Sequence, residues 1–180
     1  MRSWAASTLT ACLSLTLGGC GYSLVGKGIS TDPTIKRIGV PVFKDDTGKP
    51  GLDQKITQKV VEELLKRGHF DVVQETTGVD AIVDGEILAY RAVPIGFSQQ
   101  GSGTTASTQA SRYAIVLTAR VRYKKVGATE SIWESDSLQA RDESDVGDSS
   151  STFFDREDQV IERLSISFAR TLVSSMLEAF

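Results

Sequence analysis

The segment Arg112–Lys125 constrains the fold more than any other stretch of the chain. Tyr113, Ile115, Leu117, Ala119, Val121 and Tyr123 recur at every second position, and Arg112, Thr118, Arg120, Arg122 and Lys124 fill the positions between them. Side chains of a β-strand point alternately to its two faces, so this period places those six residues on one side and Arg112, Arg120, Arg122 and Lys124 on the other. Such a strand belongs to a sheet with one dry face and one wet face, the signature of antiparallel rather than doubly covered parallel sheets. Something apolar must cover the dry face.

Two helical stripes supply the cover. Leu52, Ile56, Val60 and Leu64 recur at helical spacing with Val61 and Leu65 alongside, ending at Lys66, Arg67 and a Gly68 placed to cap the C-terminus. Ile161, Leu164, Phe168, Leu172 and Met176, flanked by Val160, Val173 and Leu177, form a second stripe running to about Glu178; Asp155 with Asp158 resembles its start. Ile35–Phe43 reads as a strand with Pro41 at an unpaired position, followed by a turn over Lys44–Gly51, and His69–Gln74 as another strand. Ala81–Ala92 alternates with Val83, Ile87 and Ala89 on one face and Asp84, Glu86, Leu88 and Tyr90 on the other. Ser131–Arg141, with Trp133 on the core side, completes the strands, and the acidic stretch Asp142–Ser151 reads as a solvated loop. The order β-α-β-β-β-β-α predicts an α+β two-layer sandwich, a mainly antiparallel four- to five-stranded sheet with two helices on one face.

Residues 1–19 are not part of that domain. Arg2, an uncharged run from Trp4 to Leu17, and Leu17-Gly18-Gly19-Cys20 have the layout of a cleaved export signal, too short for the roughly 20 residues a membrane-spanning helix needs. The ending resembles the bacterial lipobox, which implies that Cys20 is lipidated and becomes the mature N-terminus. Of the chain's two cysteines the other, Cys12, lies within the signal, so an acylated Cys20 leaves no thiol unexplained. Gly21 rather than Asp follows it, which points to the outer membrane with the domain facing the periplasm. Residues 20–34 read as a lipidated tether and residues 35–180 as one domain.

Catalytic chemistry is not expected. The single histidine, His69, sits just past a helix end, and with no mature thiol the Cys/His, Ser/His and zinc constellations are all missing. Asp142, Glu143, Asp145 and Asp148 read as solvated charge, and Gly101-Ser102-Gly103 lacks the lysine of a phosphate loop, so no cofactor is expected. A formal net charge of -3 argues against nucleic acid as a partner. Two features invite binding. Val93–Ser111 is a long uncharged tip, rich in Gly, Ser, Thr and Gln, in which Pro94, Ile95, Phe97 and Thr105 mark a loop for insertion into a partner or a plain surface insertion. The basic row Arg120, Arg122 and Lys124 either meets phosphates or forms a cross-strand ladder with Asp84, Glu86, Glu134 and Asp136. Arg91, Arg112, Lys124 and Lys125 are the candidates for contact with an anionic lipid.

Several ordered segments carry a family likeness. Gly21-Tyr22 after Cys20, Ile38-Gly39-Val40-Pro41-Val42-Phe43, Pro50-Gly51-Leu52, Glu63–Gly68, Asp80–Ile87 and Trp133-Glu134 resemble the lipopolysaccharide-assembly lipoprotein family LptE over nearly all of the mature chain, with Asp46 where relatives often have Asn. The resemblance implies an outer-membrane subunit that plugs the β-barrel translocon LptD and binds lipopolysaccharide through basic residues. A lipoprotein cofactor of a peptidoglycan synthase or of another secretion system is the other reading, because such proteins share the Pro-Val-Phe strand ending and the turn into a helix.

Overall fold

The computed structural model describes residue 32 and residues 34–67, 70–100, 107–145 and 151–178. The expectations for the leader, Cys20, the Gly68 cap, His69 and Thr105 lie outside the described residues. In chain order the elements are β1 (Arg37–Gly39), β2 (Lys44–Asp45), α1 (Leu52–Arg67), β3 (Asp71–Val73), β4 (Ala81–Gln100), β5 (Ser107–Lys125), β6 (Trp133–Asp145) and α2 (Ser151–Glu178). They form one six-stranded sheet in the order β3-β1-β4-β5-β6, with β2 paired to β4. The long strands β4, β5 and β6 are antiparallel, whereas the short β1 runs parallel to β3 and β4, and β2 parallel to β4. The architecture is the expected α+β sandwich with one strand more than the sequence suggested.

The extra strand, β2, lies at the start of the stretch Lys44–Gly51 read as a turn, and the strand read before it is shorter than expected because of Pro41. Without an N–H it cannot continue the ladder, so Ile35–Phe43 is not one strand: β1 ends at Gly39 and β2 begins at Lys44. Between them Phe43 turns inward, its N–H donating to Thr57 Oγ1 at 3.0 Å while that hydroxyl donates to the Asp53 carbonyl at 2.7 Å. Its buried ring lies on Gly85 of β4 so closely that a Cβ added there would sit within 2.6 Å of Cζ. Gly85 is needed for this approach of ring to strand.

The core lies between the helices and the odd residues of β5. Ile115, Leu117, Ala119, Val121 and Tyr123 are buried, as are Leu52, Ile56, Val60 and Leu64 of α1 and the whole expected stripe of α2. Leu65 is not part of it; it is exposed, and Thr57 and Glu63 are buried instead. Thr57 and Glu63, six residues apart, lie about 120° from each other around the helix, so the buried face stays centred on the Leu52–Leu64 stripe. Helix α2 starts at Ser151, upstream of the expected Asp155. The strand β6 runs on to Asp145, so the segment read as an acidic loop is strand as far as that residue.

Cations from the α1 side meet acids on α2: Lys49 with Glu157 (2.6 Å), Lys55 with Asp158 (3.6 Å) and Lys59 with Glu162 (2.8 Å). Farther on, the Arg67 guanidinium donates to the Ser174 hydroxyl. The partners advance together along both helices, so α1 and α2 run parallel.

One irregularity decides which residues face the core above the middle of the hairpin. The β4–β5 register shifts between Ile87 and Ala89, so that Ile87 faces Ala119 and Ala89 faces Thr118. A β-bulge reverses the inside-outside parity beyond it. Tyr90, opposite Leu117, is consequently packed against the core, and Ala89 lies on the open face, the reverse of the assignment from simple alternation.

Candidate functional site

The open face of the sheet carries the even residues of β5. As a ladder it satisfies part of the basic row: Arg120 bonds Glu86 of β4 at 2.8 Å and Asp136 of β6 at 3.2 Å, and Lys44 bonds Glu86 at 2.7 Å. The hydrogen bond to Glu86 raises the Lys44 pKa above its ordinary value. Arg112, near the other end, bonds Asp145 at 2.6 Å; that bond raises the pKa of the guanidinium and lowers that of the carboxyl. Solvent screens exposed pairs of this kind, so they add little to stability. The cross-strand reading of the row therefore holds for Arg120.

It does not hold for Arg122 and Lys124. Both are exposed, and among the described residues neither makes an ion pair, although Asp84 and Glu134 stand in register with Arg122. They border an open groove of about 620 Å³ at the base of the sheet. Its floor is apolar, with Pro41 and Ile82, and exposed Val126 closes one side. Asp84 and Lys125 complete the rim. Cations above an apolar floor suit an amphiphile whose phosphates meet the rim while its hydrocarbon covers the floor.

Lys125 is already engaged. Its ammonium donates to Asp32 Oδ2 at 2.8 Å and to Thr34 Oγ1 at 2.7 Å, fastening the segment that precedes β1 to the end of β5. Asp32 also accepts the Thr34 N–H at 2.9 Å, and with the Lys125 bond first among the causes its carboxyl is held far below the usual carboxylate range. Nearby, Asp80 accepts the N–H groups of Lys36 and Arg37, both at 2.9 Å, and these bonds lower its pKa too.

The four sequence candidates thus fall in different places. Lys124 and Lys125 share the groove, the second already bonded. Arg112 is tied to Asp145. Arg91, exposed on β4 opposite Val116, stands eight residues of β5 away from Lys124, about 27 Å at the usual rise per residue. One ligand phosphate cluster cannot meet all four. Sequence reasoning left Arg122 open between phosphate contact and ladder, and it did not single out Asp32. The apolar Val126 directly after two lysines was the available sign of an amphiphilic rim.

The other candidate feature is not a loop. Pairing between β4 and β5 continues to Gln100 opposite Ser107, so Pro94, Ile95 and Phe97 are strand residues; residues 101–106 lie outside the description. Backbone bonding needs no apolar alternation, which is why the uncharged composition hid it. Register shifts flank Gly96, beside Pro94. The β6 pairing ends at Arg112, and on the other side β2 leaves β4 at Ile87, so beyond Gly96 the hairpin is a two-stranded ribbon. Phe97 is 63% exposed on it, and Val93 and Ile95 are exposed just before it, where β6 still pairs with β5.

No helix among the described residues is long and apolar enough to cross a membrane, and among them no group of His, Cys, Asp or Glu is arranged to hold a metal.

Comparison with known proteins places this geometry. No curated protein matches the chain by sequence. Among solved structures, the hypothetical protein CT253 from Chlamydia trachomatis is similar with a TM-score of 0.52 at 9% identity, over 79% of this chain and 96% of that one. The rare lipoprotein B from Shewanella oneidensis is similar with a TM-score of 0.50 at 12% identity, over 79% of this chain and 95% of that one. At such identities the likeness is one of fold. The family model for lipopolysaccharide assembly, LptE, matches residues 35–176, from just before β1 to the last turn of α2, and the chain belongs to that family.

Proposed function

We propose that the chain is a non-enzymatic, lipid-anchored subunit of an outer-membrane lipopolysaccharide translocon, in which the β4–β5 ribbon enters the lumen of an LptD-like β-barrel. The carrying observation is the hairpin end: no charged residue lies between Val93 and Ser111, Phe97 is exposed on the two-stranded ribbon, and Val93 and Ile95 are exposed where it leaves the sheet. An isolated two-stranded hairpin is marginally stable in water, so such an element gains by being enclosed. The polar interior of an outer-membrane barrel accepts Gln, Ser and Thr and imposes no Coulombic cost on an uncharged guest.

Lipidation at Cys20 anchors the subunit to the inner leaflet, since several acyl chains hold firmly at about 0.8 kcal/mol per buried methylene. The groove of Arg122, Lys124, Pro41, Ile82 and Val126 receives the phosphorylated, acylated end of lipopolysaccharide. Lys125 is a secondary contact, and Arg91 and Arg112 serve elsewhere.

Photo-crosslinkers at Phe97 and Thr105, with capture of the tagged protein from solubilised outer membranes, test the plug. Crosslinks to a large β-barrel protein are expected. Capture of a peptidoglycan synthase in place of a barrel would overturn the translocon assignment.

A further inference from the structure

We infer that Asp84 makes the groove selective for amphiphiles whose phosphate is carried on a hydroxylated sugar, and against those that offer a phosphate alone. This rests on the groove being the lipopolysaccharide site. Arg122 and Lys124 supply its free cations, because the Lys125 ammonium is held by Asp32 and Thr34. Asp84 lies on the same rim, is exposed, and makes no ion pair among the described residues. With Arg122 it also borders a smaller hollow of about 210 Å³ beside Glu86 and Arg120, so there is open space on both sides of the carboxylate.

The backbone sets this position apart. β1 pairs with β4 at Ala81 and Ile82, and β2 pairs with it at Glu86 and Ile87, so Asp84 stands opposite the break that Pro41 makes between them. Phe43, packed on Gly85, holds the strand at this point. Two residues farther along each strand, Glu86 and Arg120 are register partners and bond at 2.8 Å; Asp84 and Arg122 are register partners too, and do not bond. The ladder therefore ends where the groove begins.

A free carboxylate among free cations discriminates between anions. The Cβ atoms of directly opposed residues lie about 5 Å apart, so a phosphate on Arg122 comes within reach of the Asp84 charge and is repelled by it. An ionised carboxylate accepts hydrogen bonds and donates none. It is satisfied by a ligand that brings hydroxyl donors within about one ring's width of its phosphate. A phosphorylated sugar does so: its hydroxyls donate to Asp84 while its phosphate oxygens accept from Arg122 and Lys124. A phospholipid without hydroxyls covers the floor and meets the cations, yet leaves the carboxylate facing an anion. Selectivity then comes from the repulsive element as much as from the attractive ones.

The test measures binding of the mature acylated chain, in detergent micelles, to lipopolysaccharide and to phosphatidylmethanol, an acylated phosphodiester without hydroxyl groups. Wild type is compared with Asp84→Ala, Asp84→Asn and the Arg122→Gln/Lys124→Gln double variant. Asp84→Ala is expected to bind phosphatidylmethanol about two- to fivefold more tightly, the factor that an exposed charge interaction commands. The same variant is expected to bind lipopolysaccharide about fivefold more weakly, through the lost hydrogen bonds. Asp84→Asn, which keeps one acceptor, should fall between wild type and Asp84→Ala for both probes, and the double variant should lose both. Affinities for the two probes that move in the same direction, or that do not move, reduce Asp84 to a background charge; either result overturns the selectivity and leaves the groove in place. If the double variant binds both probes as wild type does, the groove reading fails and the role of Asp84 with it.

Discussion

The contact between Phe43 and Gly85 allows a prediction whose sign depends on the background in which it is made. In the wild type, Gly85→Ala places a methyl group within 2.6 Å of ring carbon Cζ and nearer still to Cε2 and Cδ2. The ring is only 2% exposed, with its own N–H bonded to Thr57, so it has no free direction in which to yield. Overpacking of this kind costs about 1–3 kcal/mol, and contact with three ring carbons argues for the upper part of that range. Against it, replacing glycine inside a strand by alanine gains about 0.5–1 kcal/mol. The net expectation is a destabilisation of about 2 kcal/mol. Phe43→Ala alone costs about 3–5 kcal/mol as a buried aromatic truncation. In the Phe43→Ala background the obstacle is gone, so Gly85→Ala should stabilise by about 0.5–1 kcal/mol, the propensity term alone. Urea unfolding of the four proteins gives the cycle directly, with a coupling of roughly 2–3 kcal/mol expected from the difference. An equal cost of Gly85→Ala in both backgrounds would refute the packing argument and assign the glycine some other purpose.

Four further outcomes follow from single features. Tyr123 is buried with its hydroxyl lacking a partner among the described residues, so Tyr123→Phe should raise unfolding stability by about 1 kcal/mol; a loss of that size would reveal an acceptor. Burial pushes the same phenol up to about 12 from 10, so the native state holds a proton that the unfolded chain has released, and stability should fall as pH rises from 10 to 12, a decline that Tyr123→Phe should lessen in alkaline melts. Asp80 is depressed chiefly by its bonds from the Lys36 and Arg37 N–H groups; its contribution is present above pH 3.8 and disappears as pH falls below it, so Asp80→Asn should flatten acid melting curves in that window. The exposed ladder should matter little: a Glu86→Gln/Arg120→Gln cycle is expected to give a coupling below about 1 kcal/mol that shrinks in high salt, and a larger salt-independent value would contradict the surface reading.

The core was legible because burial imposes a period. The odd residues of β5 and the stripe of α2 repeat at spacings that only one secondary structure satisfies, and all of them pack where that spacing puts them. The pairing of Glu86 with Arg120 and of Arg120 with Asp136 was legible too, because neighbouring strands joined in sequence are the common case. What failed shares one cause, dependence on partners distant in sequence or on the backbone alone. Ile87, Leu88 and Ala89 are all apolar, so no pattern could mark the bulge that turns Tyr90 inward. Ser, Thr and Gln near the hairpin end carry no alternation, yet their amides pair as well as those of valine. The salt bridges between α1 and α2 join residues with no local relation, and so does the Asp32–Lys125 bond.

The misread positions are also those that separate the two ends of the hairpin. At the base, β4 and β5 lie within a sheet flanked by β1 and β6 and tied to the N-terminal segment through Lys125. At the far end the same two strands stand alone, and β4, with 20 residues, spans about 66 Å between these environments. A hairpin bonded along this length is stiff compared with its connections, so a partner that grips the ribbon fixes the direction of the groove as well. The bulge after Ile87 lies where β2 leaves β4, at the change from a flanked strand to a free edge. Bulges increase local twist, so this position sets the angle between the two halves. The angle is specified by backbone register and not by any polar contact, and a surface substitution on the ribbon should therefore alter barrel binding without altering affinity at the groove.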